Sequence, residues 1–213
     1  MVKVDLWRGR GYLLSSAGAM HEGLAIHGYG SSSREMLGLA VDLAARLKLK
    51  LLVFDLPGHG GAAGEPLTQS AARRSLDSAL AALDKPTFFV GHSLGARLGL
   101  EAGLGIAVLV SMPGGASFDG SRHELVGTLR PRRVNEARPF AGLEEILTVK
   151  PRPAARTLLL RALHEPRSVM SLAAAWEKNG LPCRKIRGSN HNDIISSPEA
   201  ADVIAAWLEK NLP

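Results

Sequence analysis

Cysteine is almost absent from the 213 residues: Cys183 stands alone. One cysteine cannot form an intramolecular disulfide, so a reducing, cytoplasmic setting is expected. Long hydrophobic runs are also missing. No segment approaches the roughly 18 uninterrupted apolar residues of a membrane span. Met1 to Asp5 alternates apolar and charged residues and does not open a signal-peptide hydrophobic region. The expectation is a soluble protein retained inside the cell. Glutamine occurs once, at Gln69, and with the single cysteine this scarcity of thermolabile side chains points to a thermophile source. No cluster has metal-ligand spacing, and no glycine-rich loop matches the phosphate- or dinucleotide-binding patterns. Neither a metal nor a cofactor is expected. Internal repeats and low-complexity tracts are absent.

What is present is an ordinary globular mix, with 46% apolar and 22% charged residues. The length fits one domain, 1–213, carrying a small insertion. Such a chain buries enough surface to fold without a disulfide or metal staple. The net charge of +6 comes mainly from arginine. It reads as a solvated basic surface, and no nucleic-acid partner is expected from it. The sequence sets no oligomeric state.

Strand-like and helix-like segments alternate from residue 24 onward. Short apolar runs at 24–26, 51–54, 87–90, 106–110, 157–160 and 183–186 read as strands. Helical spacing appears at 35–47, after a serine-rich entry at 31–33, and again at 69–83 and 94–102. Ser197-Pro198-Glu199 opens a last helix reaching Leu208. Several strand runs are continuously apolar, as happens when helices cover both faces of a parallel sheet. The predicted fold class is therefore α/β: a doubly wound, mostly parallel sheet with helices on both faces. Residues 1–23 read as one or two antiparallel edge strands with Gly9-Arg10-Gly11 as their turn. Residues 111–150 break the rhythm and read as a small lid, with a helix-like stretch at 140–147. Arg130, Arg132, Arg133 and Arg138 in that stretch read as a solvated face, with guidance of an anionic substrate as the alternative.

Ligands of such sheets sit beyond the carboxyl ends of the strands. There lies Gly91-His92-Ser93-Leu94-Gly95, a G-x-S-x-G pattern. The pattern alone is not specific, but an apolar strand enters it and a helical segment leaves it. That is the strand–turn–helix context of a nucleophile elbow, so Ser93 is the candidate nucleophile. A serine hydroxyl needs a base to take its proton. In this kind of site the partners follow in the order serine, acid, histidine. Of His123, His164 and His191, only His191 follows the last strand and precedes the last helix. Glu165, just after the penultimate strand, is the candidate acid, with Asp119 as its rival. The backbone N–H groups of Leu94 and Tyr29 are the candidate oxyanion hole. Cys183 reads as a buried core thiol.

His27-Gly28-Tyr29-Gly30, Asp55-Leu56-Pro57-Gly58-His59-Gly60, the Ser93 elbow and Gly188 to Asp193 occur in the order found in one superfamily. Over about residues 24 to 210 the chain resembles α/β-hydrolase esterases and lipase-like enzymes. The resemblance implies a serine hydrolase acting on a small-molecule acyl substrate, with carboxylic esters as the expected substrate. A thioesterase, amidase or peptidase would use the same residues, and a non-catalytic hydrolase-like binding module is the other class. In the family the 55–60 stretch is structural, so His59 carries no expected catalytic role. Two departures are visible: the family usually has Asp where Glu165 stands, and Gly where Ala162 stands.

Overall fold

The computed structural model describes residues 1–114, 134–138 and 140–213. Its centre is an eight-stranded sheet built from β1 (Val2–Leu6), β2 (Gly9–Ser15), β3 (His21–Ile26), β4 (Leu49–Phe54), β5 (Pro86–His92), β6 (Ile106–Val110), β7 (Arg156–His164) and β8 (Cys183–Asn190). The spatial order is β1-β2-β4-β3-β5-β6-β7-β8. The β1–β2 and β2–β4 pairs are antiparallel, and the other pairs are parallel.

Six α-helices accompany the sheet among the described residues: α1 (Ser33–Leu47), α2 (Gln69–Ala81), α3 (Leu94–Gly99), α4 (Ala141–Thr148), α5 (Arg167–Lys178) and α6 (Pro198–Asn211). Helices α1 and α6 cover one face, and α2 to α5 cover the other. Strand β6 explains the unbroken apolar runs. Ile106, Val108 and Val110 point into the α1–α6 core, while Ala107 and Leu109 point into the opposite one. Each large aliphatic side chain so buried contributes about 1.5–3 kcal/mol. No helix among the described residues is long and apolar enough to cross a membrane.

Several local readings change. The first hairpin turns at Trp7-Arg8, because Leu6 pairs with Gly9 and Arg8 takes the left-handed φ of 54°. Gly11 lies inside β2, where a Cβ would come within 2.9 Å of the Leu52 side chain. Helix α5 was not anticipated, although Val169, Ala173 and Trp176 bury one face at helical spacing. Strand β7 runs on to His164, past an irregularity between Ala162 and His164. Cys183 is half-buried, not enclosed in a core, and burial raises its thiol pKa. The serine-rich entry to α1 supplies the N-cap, Ser32, but no side-chain cap bond. Asp55 accepts the Ser33 N–H instead, at 2.7 Å.

Half of the stretch read as a lid, 115–133 with residue 139, lies outside the described residues. Its later part forms α4, whose Leu143, Ile146 and Leu147 are buried in the α2–α5 core.

Candidate active site

Strand β5 delivers the chain into a turn that ordinary residues avoid. Ser93 has φ 51° and ψ −112°, a conformation costing on the order of 1–3 kcal/mol that its surroundings must over-determine. They do so through close packing. A Cβ at Gly91 would lie 2.6 Å from the backbone of Ala96, and one at Gly95 would lie 2.3 Å from the Ile26 carbonyl oxygen. The Ser93 N–H donates to the Val110 carbonyl at 2.8 Å. The elbow is thus pressed between the ends of β3 and β6, with Leu94 as the first residue of α3.

His191 follows β8 and is 2% exposed. Its Nε2 lies 3.0 Å from Ser93 Oγ, and its Nδ1 lies 2.6 Å from Glu165 Oε2. A carboxylate accepts, so Nδ1 carries the proton and Nε2 is left to receive the serine proton. The other carboxylate oxygen, Oε1, accepts from the Ser111 hydroxyl and from the Ala162 N–H at 2.9 Å. Burial pushes the Glu165 carboxyl up, but hydrogen bonds from His191, Ser111 and Ala162, with electrostatic attraction to the imidazole, bring it below the ordinary range. Ser93, His191 and Glu165 therefore form one hydrogen-bonded line at the carboxyl ends of three parallel strands. Such a line can move the hydroxyl proton to the imidazole while the carboxylate stabilises the resulting cation.

The alternatives fall elsewhere. Asp119 and His123 lie outside the described residues, as do Arg130, Arg132 and Arg133. His164 ends β7 on the surface. Asp193 caps its own loop, accepting from the Asn190 N–H at 2.6 Å. Arg138 pairs with Glu144 at 2.7 Å.

The loop after β3 runs against the elbow: a Cβ on Gly28 would lie 3.1 Å from that of Ser93. Two buried histidines brace this loop. His27 Nδ1 donates to the Gly28 carbonyl at 2.7 Å, and its Nε2 accepts the Leu56 N–H at 2.9 Å. His59 Nδ1 donates to the Pro57 carbonyl at 2.8 Å, and its Nε2 accepts the Gly30 N–H at 3.0 Å. Both rings are neutral in this arrangement. Burial lowers both pKa values, that of His27 to about 3, and the proximity of His59 further disfavours a proton on His27. Leu94, as the first residue of a helix, has no intrahelical acceptor for its N–H. The two predicted oxyanion donors, Tyr29 and Leu94, thus sit on segments that flank Ser93.

Residues 24–211 match the model of the alpha/beta hydrolase family. The chain belongs to the alpha/beta hydrolase family. Among curated proteins no significant sequence match is found. Among solved structures, the chain is similar to a monoacylglycerol lipase of Paleococcus ferrophilus, with TM-score 0.70, 18% identity, and coverage of 97% of this chain and 99% of that one. It is similar to a carboxylesterase structure of Nitrososphaera gargenis, with TM-score 0.66, 15% identity and coverage of 93% and 94%. It is also similar to the thioesterase domain from the curacin biosynthetic pathway, with TM-score 0.65, 16% identity and coverage of 97% and 98%. At such identities these likenesses bear on the fold alone.

As an alpha/beta hydrolase the chain has residues at the site that sequence reasoning missed. Ser111, immediately after β6, is fully buried at φ 52° and holds the second oxygen of Glu165. His92 donates from Nε2 to the His191 carbonyl at 2.7 Å. Glu136 accepts from the Tyr29 hydroxyl. The only signals for the first two were their places, one residue beyond an apolar strand and one before the nucleophile. Glu136 had no signal, because its partner is 107 residues away.

Proposed function

We propose that this alpha/beta hydrolase cleaves carboxylic esters through an acyl-enzyme on Ser93. His191 takes the hydroxyl proton as Oγ attacks the acyl carbon, and Glu165 holds the imidazole in its productive tautomer. The N–H groups of Tyr29 and Leu94 receive the negative oxygen of the tetrahedral intermediate. His191 then protonates the departing alkoxide. Water, deprotonated by the same histidine, attacks the acyl carbon and releases the acid. A cytoplasmic location accords with the single cysteine.

The observation carrying this reading is the hydrogen-bonded line from Ser93 Oγ through both nitrogens of His191 to Glu165, at 3.0 Å and 2.6 Å. The test is a panel of p-nitrophenyl esters of increasing chain length, with thioester and anilide analogues, on wild type and Ser93→Ala. The expected result is ester turnover and fluorophosphonate labelling in wild type. Ser93→Ala should lose labelling and several orders of magnitude in rate, leaving only oxyanion-hole and binding contributions. Faster thioester or anilide turnover would redirect the assignment to those substrates. Failure of wild type to label would favour a non-catalytic binding module.

A further inference from the structure

Tyr29 is offered above as a backbone donor, yet its peptide lies between two glycines, Gly28 and Gly30, and Gly30 has φ 69°. Glycine neighbours permit many backbone conformations, so something must fix the direction of the Tyr29 N–H. The bonds of Gly28 and Gly30 to His27 and His59 hold the flanks. The tyrosine itself is held through its side chain. Its ring is edge-on to His59 at 5.7 Å and tilted against Phe140 at 5.6 Å. Its hydroxyl donates to Glu136 Oε1.

Glu136 belongs to no strand or helix. Its Oε1 also accepts the Phe140 N–H at 2.7 Å, and its Oε2 accepts the Gly142 N–H at 3.1 Å. Phe140 is the N-cap of α4, so the carboxylate satisfies orphan donors at that helix start. The helix is itself fixed: a Cβ on Gly142 would lie 2.3 Å from the Leu67 carbonyl oxygen. One carboxylate therefore joins the tyrosine of the β3 loop to a packed helix on the far side of a sequence gap of about a hundred residues.

We propose that Glu136 is a positioning residue for ester hydrolysis, clamping Tyr29 so that its N–H points at the developing oxyanion. The inference rests on the acyl-enzyme reading above. A preorganised donor stabilises the transition state more than the ground state, and this appears in kcat. A donor that is loosened but not removed should cost less than the 10²–10³-fold of outright removal, about tenfold.

The experiment measures kcat and KM on p-nitrophenyl acetate, and Ki for an alkyl trifluoromethyl ketone, which forms a tetrahedral adduct on serine. The variants are Tyr29→Phe, Glu136→Ala, Glu136→Gln, Tyr29→Phe with Glu136→Ala, and Ser93→Ala. Tyr29→Phe and Glu136→Ala should each lower kcat about tenfold, with KM little changed and Ki raised by the same factor. The double variant should be no worse than the more damaging single one, because both remove the same contact. Glu136→Gln, whose amide oxygen still accepts the tyrosine hydroxyl, should recover most of the loss. Wild-type kcat and Ki in Tyr29→Phe overturn the proposal, as does a loss confined to KM or additive losses in the double variant. Should Glu136→Ala fail to fold, Tyr29→Phe decides alone. Persistent turnover in Ser93→Ala overturns the acyl-enzyme reading and this inference with it. Inactive Ser93→Ala beside wild-type Tyr29→Phe overturns only the role of Glu136.

Discussion

His92 donates its Nε2 proton to the main-chain carbonyl of His191 across 2.7 Å. The residue just before Ser93 thus fixes the backbone of the residue that faces Ser93, and the two rings lie 5.3 Å apart. His92→Phe keeps a ring but removes the donor, leaving a buried carbonyl without its partner. Such a loss is worth about 1–3 kcal/mol. If roughly half reaches the transition state, kcat falls about two- to tenfold. Steady-state kinetics on a short ester, with circular dichroism to confirm folding, checks this. Unchanged kcat would make the contact purely structural.

Glu165 engages three donors at once, and the two nearest variants separate shape from charge. Glu165→Gln keeps the shape but disfavours the Nδ1–H tautomer of His191, so turnover should fall on the order of 10⁴-fold. Glu165→Asp keeps the charge but shortens the reach by one methylene. A misplacement near 1 Å costs about 10²-fold. Asp119→Asn should be nearly silent. Near-normal turnover in Glu165→Gln would remove Glu165 from the proposed triad, and a collapse in Asp119→Asn would install its rival.

The braced histidines make stability depend on pH. His27 is held neutral down to about pH 3, whereas an unfolded histidine titrates near 6.5. Between those values the unfolded chain binds a proton that the folded chain refuses. Stability is therefore complete above 6.5 and is lost as pH falls toward 3, with a slope approaching about 1.4 kcal/mol per pH unit. His59, also lowered by burial, acts in the same direction. Glu165 acts lower down: its contribution is present above the unfolded carboxylate value and is lost as pH falls through its depressed folded value. Urea midpoints at pH 7, 6 and 5 should decline. A flat series would contradict the buried neutral histidines.

Two glycines should respond oppositely to alanine. At Gly95 the added Cβ meets the Ile26 and His27 carbonyl oxygens at 2.3 and 2.5 Å. The elbow must shift, and a loss of about 3 kcal/mol or outright misfolding is expected. At Gly38, exposed within α1, a Cβ meets nothing within 4 Å. There alanine should add up to about 1 kcal/mol through helix propensity. Thermal melting of both variants tests the contrast.

The elbow was legible because its cause is local. Gly91 and Gly95 fit a turn that an apolar strand enters and a helix leaves, and both glycines are where neighbouring backbone leaves no room for a Cβ. His191 and Glu165 were legible from their order along the chain. The hairpin turn was misplaced because Arg8 adopts a left-handed conformation that glycine usually takes, while the glycines beside it serve packing in β2. Ser111, His92 and Glu136 were not legible, because each acts through a partner brought near only by the sheet or by the 134–142 segment. A single serine after an apolar run carries no mark of the carboxylate it will meet.

The order β1-β2-β4-β3-β5-β6-β7-β8 has a consequence for how the site comes into being. Ser93 and its elbow are complete once β3, β5 and β6 have paired, all within the first 110 residues. The imidazole facing it lies 98 positions further on, and the carboxylate is carried by the loop after β7. During synthesis the proposed nucleophile is thus made long before anything can activate it. A chain stalled before β8 would hold a shaped but unreactive serine. Fluorophosphonate labelling would then switch on only with the last strand, making chemical reactivity a reporter of finished folding.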